Sequence, residues 1–249
     1  MMTGYNLMLI RLIIQWGSNM KIDCHIRGKM GVQCLQAFTA LAGVYEGEEP
    51  RLVVNTGGVD YDTSKKIDQL YELSIPVEEQ TGTNKSPYWN IGVASRIFRN
   101  RERVIEKYMK PHKHVLASDN PIAVAVHIRG TDKNVASEDS YIRLINEAKQ
   151  MGDPLLFTDD IKLARRISKE TKTNIASSED VVKDYSALLN ARVVFTSPNA
   201  FLMSMLLMRP NKDLRIAGRS YCDGDYTAYQ NDLDFAEEAS EYCKNVRIL

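Results

Sequence analysis

The sequence of 249 residues predicts an α/β protein that is divided into two domains and contains parallel sheets. The first observation is that apolar runs of strand length alternate with segments of helical period, which is typical of parallel βαβ units. The second is that residues 110–120, KPHKHVLASDN, have no apolar period and contain two turn signals, which indicates a domain boundary. We therefore expect a non-core extension over residues 1–19, an N-terminal domain over residues 20–112 and a C-terminal domain over residues 121–249.

The N-terminal domain is expected to begin with a strand over residues 21–26, followed by a helix. One face of that helix is formed by Val32, Leu35, Phe38, Thr39 and Ala42. A second strand is expected over residues 51–56 and a basic helix over residues 91–109.

The C-terminal domain has a denser and more regular alternation. Strands are predicted over residues 121–128, 154–158, 173–176, 192–196 and 213–217, and helices over residues 139–150, 160–169, 179–190 and 199–208. This series is sufficient for a complete doubly wound sheet. The segment from Ser220 onward is acidic, aromatic and less periodic, and we expect it to pack back across the two domains.

Composition excludes several kinds of partner. Lys and Arg together number 32, as do Asp and Glu, so the formal net charge is zero and no basic surface for nucleic acid is predicted. The apolar stretch Leu7–Trp16 is too short to span a bilayer and is interrupted by Arg11, so no stable membrane insertion is expected. The four cysteines are scattered without metal-ligand spacing, which is typical of free thiols in a reducing compartment, and we expect a cytoplasmic protein.

The strand over residues 121–128 leads into a concentration of polar side chains, in the segment VAVHIRGTDK. Because side chains alternate along a strand, His127 and Arg129 lie on the same face. In open parallel sheets, ligands bind outside the carboxyl ends of the strands, and an Arg guanidinium there offers a fork of donors that fits a phosphate. We interpret both residues as site residues; the alternative is that Arg129 pairs structurally with a carboxylate such as Asp132.

Two other strand ends are candidates for anion binding. Gly28 and Gly31 flank a tight turn into a helix, where backbone N–H groups can approach a phosphate or where the chain simply turns. Thr196, Ser197 and Asn199 follow a predicted strand and precede an apolar helix, and they form either an anion cradle or an ordinary helix cap.

Two clusters raise the question of a metal ion. Asp159-Asp160 follows a strand, but an acidic residue before a helix is also the usual cap, and we favour the cap. A metal-dependent phosphohydrolase that uses this pair would need more carboxylates at neighbouring strand ends. His112-Lys113-His114 is interpreted as a solvated loop, since no Cys or carboxylate accompanies it. No metal site is therefore predicted.

Taken in order, these segments resemble the fucosyltransferase superfamily, which includes the α-1,2-fucosyltransferases and the core α-1,6- and protein O-fucosyltransferases. That group has a GxxGNQ turn, an H-x-R-R-x-D segment, an S/T-D-D strand end and a D-x-x-x-(L/M)-x-x-(A/C) helix before a Ser-rich helix start. This sequence has GKMGVQ, HIRGTD, TDD and DYSALLNA followed by TSPN. The resemblance extends over residues 21–210.

The resemblance implies a GT-B-like fold of two Rossmann-like domains with parallel sheets. The N-terminal domain would be the reduced, acceptor-side one, and the C-terminal domain would bind the nucleotide sugar. The resemblance also implies inverting, metal-independent transfer of fucose from GDP-fucose to a glycan or saccharide acceptor, without a cofactor. In that scheme Arg129 contacts the β-phosphate, His127 contacts the GDP and Asp184 faces the guanosine. The diphosphate or ribose is assigned to Thr196, Ser197 and Asn199, and the opposite side of the cleft to Gly28, Gly31 and Gln33.

The sequence departs from the family pattern in three places. Val32 stands in place of Asn, Gly130 in place of the second Arg, and Pro198-Asn199 in place of Ser-Ser. These departures favour an alternative function on the same fold, a non-catalytic protein that binds a nucleotide or a glycan. No matched motif supplies a catalytic base, and Asp60 and Asp62 are candidates by position alone.

Overall fold

The structure of the protein is a computed structural model. It describes residues 20–26, 29–55, 67–81, 93–117, 121–130, 136–178, 180–221 and 230–249. The extension predicted over residues 1–19 lies outside the described residues, as do Gly28, Asp60, Asp62 and Asp132.

The N-terminal half is built around a small parallel sheet. Its elements are β1 (Met20–Ile26), α1 (Met30–Leu41), β2 (Glu48–Asn55), β3 (Tyr71–Leu73), β4 (Val77–Gln80), α2 (Val93–Lys107), β5 (Met109–Pro111) and α3 (Lys113–Leu116). The sheet has the order β1-β2-β4, and both of its pairings are parallel. A separate antiparallel pair is formed by β3 and β5, which the sequence did not predict because each strand has three residues.

The C-terminal half contains a six-stranded parallel sheet. Its elements are β6 (Val124–Ile128), α4 (Glu138–Ala148), β7 (Pro154–Thr158), α5 (Ile161–Thr171), β8 (Asn174–Ile175), α6 (Val181–Asn190), β9 (Val193–Thr196), α7 (Ala200–Met203), α8 (Met205–Met208), β10 (Asp213–Ile216), α9 (Gln230–Ser240) and β11 (Val246–Ile248). The strand order is β11-β10-β9-β6-β7-β8. The predicted doubly wound sheet is confirmed, with β11 as an additional edge strand.

Local sequence signals explain where the helices of this half begin. The side chains of Ser137, Asp160 and Asp180 each accept a hydrogen bond from a backbone N–H in the first turn of α4, α5 and α6. Such caps satisfy donors that an isolated helix start leaves unpaired. All five residues of β6 are buried, as expected for a central strand covered by helices on both faces.

The two halves share a hydrophobic core. One cluster of buried side chains includes Leu35 and Phe38 of α1, Tyr71 of β3, and Leu202 and Leu206 of α7 and α8. The contact between α1 and α7 is close enough that a Cβ at Gly31 would lie 2.5 Å from the Cα of Phe201. The division into domains at residues 112–121 stays a prediction.

The tail returns to the N-terminal half, which confirms the expectation that it packs back. Phe98 of α2 contacts Tyr242, with 5.9 Å between the ring centroids in a stacked arrangement. Glu238 of α9 accepts hydrogen bonds from the backbone N–H groups of Ala94 and Ser95, at 3.3 and 3.0 Å. A carboxylate of α9 therefore caps the first turn of α2, which lies more than a hundred residues earlier in the chain.

Two further findings concern the predicted elements. The helix predicted over residues 199–208 is divided into α7 and α8 at Ser204. Among the helices that the structure describes, none is both long and apolar enough to cross a membrane.

Candidate functional site

The candidate site lies where the order of strands in the large sheet reverses. The chain moves outward from β6 to β7 and β8, and then returns to place β9 on the other side of β6. His127 of β6 and Thr196 of β9 are register partners at the carboxyl ends of these two strands. A crevice outside the carboxyl ends at such a reversal is the usual ligand site of doubly wound sheets.

His127 is a buried imidazole at this position, with 7% of its surface exposed. Its ring lies 5.7 Å from the ring of Phe201, and its Nδ1 atom has no hydrogen-bond partner among the described residues. Burial lowers the pKa of His127 to about 4; the negative charge of Asp159 opposes this change, and the positive charge of Arg129 adds to it. His127 is therefore neutral at neutral pH, and its buried Nδ1 atom is unpaired among the described residues.

Arg129 is held by contacts to both its backbone and its side chain. Its guanidinium Nη1 lies 3.5 Å from Oδ2 of Asp232 on α9, and the two side chains are only 15% and 10% exposed. The backbone N–H of Arg129 donates to the hydroxyl of Tyr141 at 3.1 Å, and that hydroxyl donates to the carbonyl of Arg129 at 2.8 Å. These contacts fix a cation at the carboxyl end of β6.

The Tyr141 hydroxyl also connects β6 to β9, because it lies 3.1 Å from the hydroxyl of Ser197. A phenol has one proton, which goes to the carbonyl of Arg129, so Ser197 is the donor in this contact. Burial raises the pKa of Tyr141 to about 12. Tyr141 is therefore a neutral phenol that joins the two strand ends of the crevice.

The side chains of Thr196, Ser197 and Asn199 are buried and bonded to one another. The side-chain amide of Asn199 donates to the hydroxyl of Thr196 at 2.9 Å and to the carbonyl of Ser197 at 2.7 Å. Its Oδ1 atom accepts from the backbone N–H of Leu202 at 2.9 Å, so Asn199 is the N-cap of α7. The cap interpretation is confirmed, and donor binding by these side chains stays a prediction.

Gly31 and Gln33 are both buried in α1. A Cβ at Gly31 would lie 2.5 and 2.7 Å from the backbone Cα and N of Phe201, closer than real Cβ contacts. The absence of a side chain at Gly31 is thus required by the contact between α1 and α7, beside His127. Gln33 is fully buried in the same helix, and the donor contacts predicted for both residues stay predictions.

Asp184 lies in the first turn of α6, and the guanosine contact predicted for it stays a prediction. Its Oδ1 atom accepts hydrogen bonds from the backbone N–H and the hydroxyl of Ser178, both at 2.8 Å. Burial raises the pKa of this carboxyl, and the two bonds from Ser178 act against that change. The next residue, Tyr185, contacts Phe201 edge to face at 5.1 Å, which connects α6 to the crevice.

Asp159 and Asp160 have separate structural roles. Oδ1 of Asp160 accepts from the backbone N–H groups of Lys162 and Leu163, both at 3.0 Å, so the predicted helix cap is confirmed. Oδ1 of Asp159 accepts from the backbone N–H of Gly130 at 2.8 Å. A Cβ at Gly130 would lie 2.7 Å from the Cβ of Asp160. The side chain of Asp160 therefore occupies the space that a larger residue at position 130 would need.

The described residues offer no obvious metal centre. Within that part of the chain, no group of three or more His, Cys, Asp or Glu side chains is arranged to hold a metal ion. The rings of His112 and His114 stack at 5.0 Å, and Nε2 of His112 lies 2.9 Å from the carbonyl of Asp68.

Sequence reasoning missed three residues of this site: Tyr141, Phe201 and Asp232. Asp232 lies 103 residues beyond Arg129 in a segment of weak periodicity, so no sequence pattern connects the two. Tyr141 and Phe201 fall on the apolar faces of predicted helices, where an aromatic residue is normally part of the core. These three residues, which lie on α4, α7 and α9, come close to the end of β6 only in the folded structure.

The comparisons with known proteins support the fold. No family model matches the sequence, and no curated protein matches it. Among solved structures, the chain is similar to the glycosyl transferase family 9 protein from Veillonella parvula DSM 2008, with a TM-score of 0.50 and 11% identity. The match covers 91% of this chain and 90% of that one.

The α/β fold with two parallel sheets is thus of the GT-B-like class that the sequence predicts. The chain shares this fold with a glycosyltransferase. His127 and Arg129 lie at the strand ends where doubly wound sheets normally bind a ligand.

Proposed function

We propose that the protein is a glycosyltransferase that binds a nucleoside diphosphate sugar at the carboxyl ends of β6 and β9. The observation that carries the proposal is Arg129, a cation fixed at the strand reversal by Tyr141 and Asp232. A guanidinium has five N–H donors, so Arg129 can face Asp232 and still bind a diphosphate. The finer proposal, that the donor is GDP-fucose and the acceptor a glycan, is supported by the sequence resemblance alone.

The proposed reaction needs charge stabilisation on the leaving group. The bond between the anomeric carbon and the diphosphate oxygen breaks, and an acceptor hydroxyl forms a new bond to that carbon from the opposite face and loses its proton. Negative charge therefore grows on the diphosphate in the transition state, where a fixed cation stabilises it most strongly. Arg129 supplies that cation, and neutral His127 supplies a hydrogen-bonding nitrogen beside it. The mechanism proposed is independent of metal ions.

A second function, nucleotide or glycan binding without catalysis, is favoured by one observation. The position of the second Arg in the resembled motif is Gly130, and the turn at Asp160 leaves no room for a side chain there. A site with one Arg has less capacity to stabilise the leaving diphosphate. Slow hydrolysis of GDP-fucose distinguishes the two functions, because a protein that only binds the nucleotide produces no free fucose.

The test of the proposed site is calorimetric titration of GDP into the wild type and into Arg129 variants, with UDP and ADP as comparison ligands. Arg129→Ala is expected to weaken GDP binding at least about tenfold, which corresponds to ~1.4 kcal/mol. Arg129→Lys is expected to recover little, because an ammonium group lacks the planar fork of donors. If GDP is the matching nucleotide, UDP and ADP bind more weakly.

A control is needed because Arg129→Ala also removes the cation that faces Asp232. The double variant Arg129→Ala/Asp232→Asn removes that carboxylate charge as well, and its melting temperature is expected to be nearer to that of the wild type. GDP affinity is expected to remain low in both variants. Wild-type affinity in the folded double variant would show that Arg129 is a structural residue, and the site assignment would then be wrong.

A further inference from the structure

The small N-terminal sheet has its own polar group at the carboxyl end of a strand. Asn55 is the last residue of β2, the central strand of that sheet, and its register partner on β4 is Gln80. His25 of β1 lies beside it on the same face, with Nδ1 at 3.5 Å from Nδ2 of Asn55. This edge belongs to a different sheet from the one that contains Arg129.

Asn55 is almost fully buried, yet one end of its amide is unsatisfied. The residue is 3% exposed, and its Oδ1 atom has no hydrogen-bond partner among the described residues. Rotating the amide by half a turn would place the oxygen near His25 and leave the nitrogen unpaired instead. A buried amide without a partner is costly, so such a group in a folded protein calls for an explanation.

On the same face of the sheet, Arg51 and two carboxylates form ion pairs. Arg51, two residues before Val53 on β2, forms ion pairs with Asp23 on β1 at 2.5 Å and with Glu78 on β4 at 2.6 Å. The face is therefore polar across all three strands, but its charges neutralise one another away from the carboxyl edge. At that edge the described side chains include the neutral amide of Asn55 and, beside it, the imidazole of His25.

The position repeats a feature of the large sheet. Among the described residues, two buried polar atoms without hydrogen-bond partners lie at the carboxyl ends of parallel strands. They are Nδ1 of His127 on β6 and Oδ1 of Asn55 on β2. The carboxyl ends of parallel strands are the usual place for ligands in such sheets. The first atom belongs to the proposed donor site, and the second is not used by it.

We infer that the amide of Asn55, with His25 beside it, binds a hydroxyl group of the saccharide acceptor. This inference rests on the proposed function and names the acceptor side of it. A neutral amide suits a neutral polyol, because a sugar hydroxyl can donate to Oδ1 or, with the amide reversed, accept from Nδ2. On this face Arg51 is already neutralised by two carboxylates, and the neutral amide of Asn55 favours a hydroxyl group over an anion.

The test compares the wild type with Asn55→Leu and with Asn100→Leu, the same substitution on α2. Binding of lactose, methyl galactoside and methyl N-acetylglucosaminide is measured by saturation-transfer NMR in the presence of saturating GDP. At least one of these sugars is expected to give a signal with the wild type and Asn100→Leu, and the signal is expected to disappear in Asn55→Leu. GDP affinity is expected to stay within about twofold in all three proteins.

Thermal stability gives an independent readout. Because Leu removes an unsatisfied buried amide, Asn55→Leu is expected to melt at the wild-type temperature or a few degrees above it. A fall of more than about 5 °C would show that the amide serves the fold and would overturn the inference. The absence of any sugar signal with the wild type, or a signal that persists in Asn55→Leu, would overturn it too. If GDP binds while the sugars do not, the inference fails alone; if GDP also fails to bind, the proposed function fails with it.

Discussion

Gly31→Ala separates two explanations of the glycine at the start of α1. One interpretation of the sequence pattern is that Gly31 allows a phosphate to approach the backbone, the other being a plain turn, and the structure places Gly31 against α7. An added Cβ would lie 2.5 Å from Cα of Phe201 and 2.8 Å from the carbonyl carbon of Ala200, where ordinary contacts begin at 3.4 Å. Both neighbours are backbone atoms, so the two helices must separate by about 1 Å, and tightly packed interiors resist such a movement.

The expected cost follows from this overlap. Overpacking of a core contact costs about 1–3 kcal/mol, and the better helix propensity of Ala returns at most about 1 kcal/mol of it. A net cost of about 1–2 kcal/mol is expected to lower the melting temperature by roughly 2–8 °C in a protein of this size. Calorimetry or urea denaturation measures this change. GDP affinity is expected to fall as well, because Phe201 contacts His127.

The control is Gly43→Ala, just beyond the end of α1. A Cβ there would meet the guanidinium end of Arg96, an exposed side chain that can rotate away. Its effect on the free energy of unfolding is expected to stay within about 0.5 kcal/mol. If Gly31→Ala kept wild-type stability and lost only GDP affinity, the packing argument would be refuted and the phosphate explanation would stand.

Two further predictions concern charged groups. His127 has a pKa of about 4 in the folded protein and an ordinary value of 6.5, so the unfolded chain binds its proton more readily and stability falls as pH decreases from 6.5 towards 4. Between pH 7 and pH 4.5 this histidine is expected to remove about 2 kcal/mol from the free energy of unfolding. In urea titrations at these two pH values, the free energy of unfolding of His127→Gln is expected to fall by about 2 kcal/mol less than that of the wild type. An equal fall in both proteins would contradict this prediction. Glu238→Ala is expected to destabilise the protein by about 1–2 kcal/mol, because it uncaps α2, whereas the neighbouring exposed Glu237→Ala should have almost no effect on thermal unfolding. Equal effects of the two substitutions would show that the cap contributes nothing.

The regular C-terminal series was predictable because its strands and helices are distinguished by period alone. The strand predicted over residues 154–158 is β7 residue for residue, and the strand predicted over residues 213–217 differs from β10 by one residue. The tail was not predictable in this way. In α9 the buried positions include Asp232, and a buried carboxylate weakens the apolar period that would otherwise indicate a helix.

The candidate site was predictable in its location but not in its contacts. A polar segment after a central strand led directly to His127 and Arg129, because the strand order of doubly wound sheets places such residues at a crevice. The sequence offered Asp132, three residues away, only as an alternative partner of Arg129, and that residue lies outside the described part of the chain. The carboxylate that the structure shows near Arg129 is Asp232 on α9, at 3.5 Å. Pairings between distant segments depend on how elements pack, and the local sequence contains no record of that packing.

The contacts of α9 have a consequence for synthesis of the chain. Residues 230–249 supply the cap of α2, the partner of Phe98 and the edge strand β11. When a ribosome has translated the first hundred residues, these groups do not yet exist, so the emerging N-terminal half has an uncapped helix and exposed aromatic surface. Nascent chains in that state aggregate readily and bind chaperones. The final packing around α2 therefore requires the tail and is completed only after the tail has been translated.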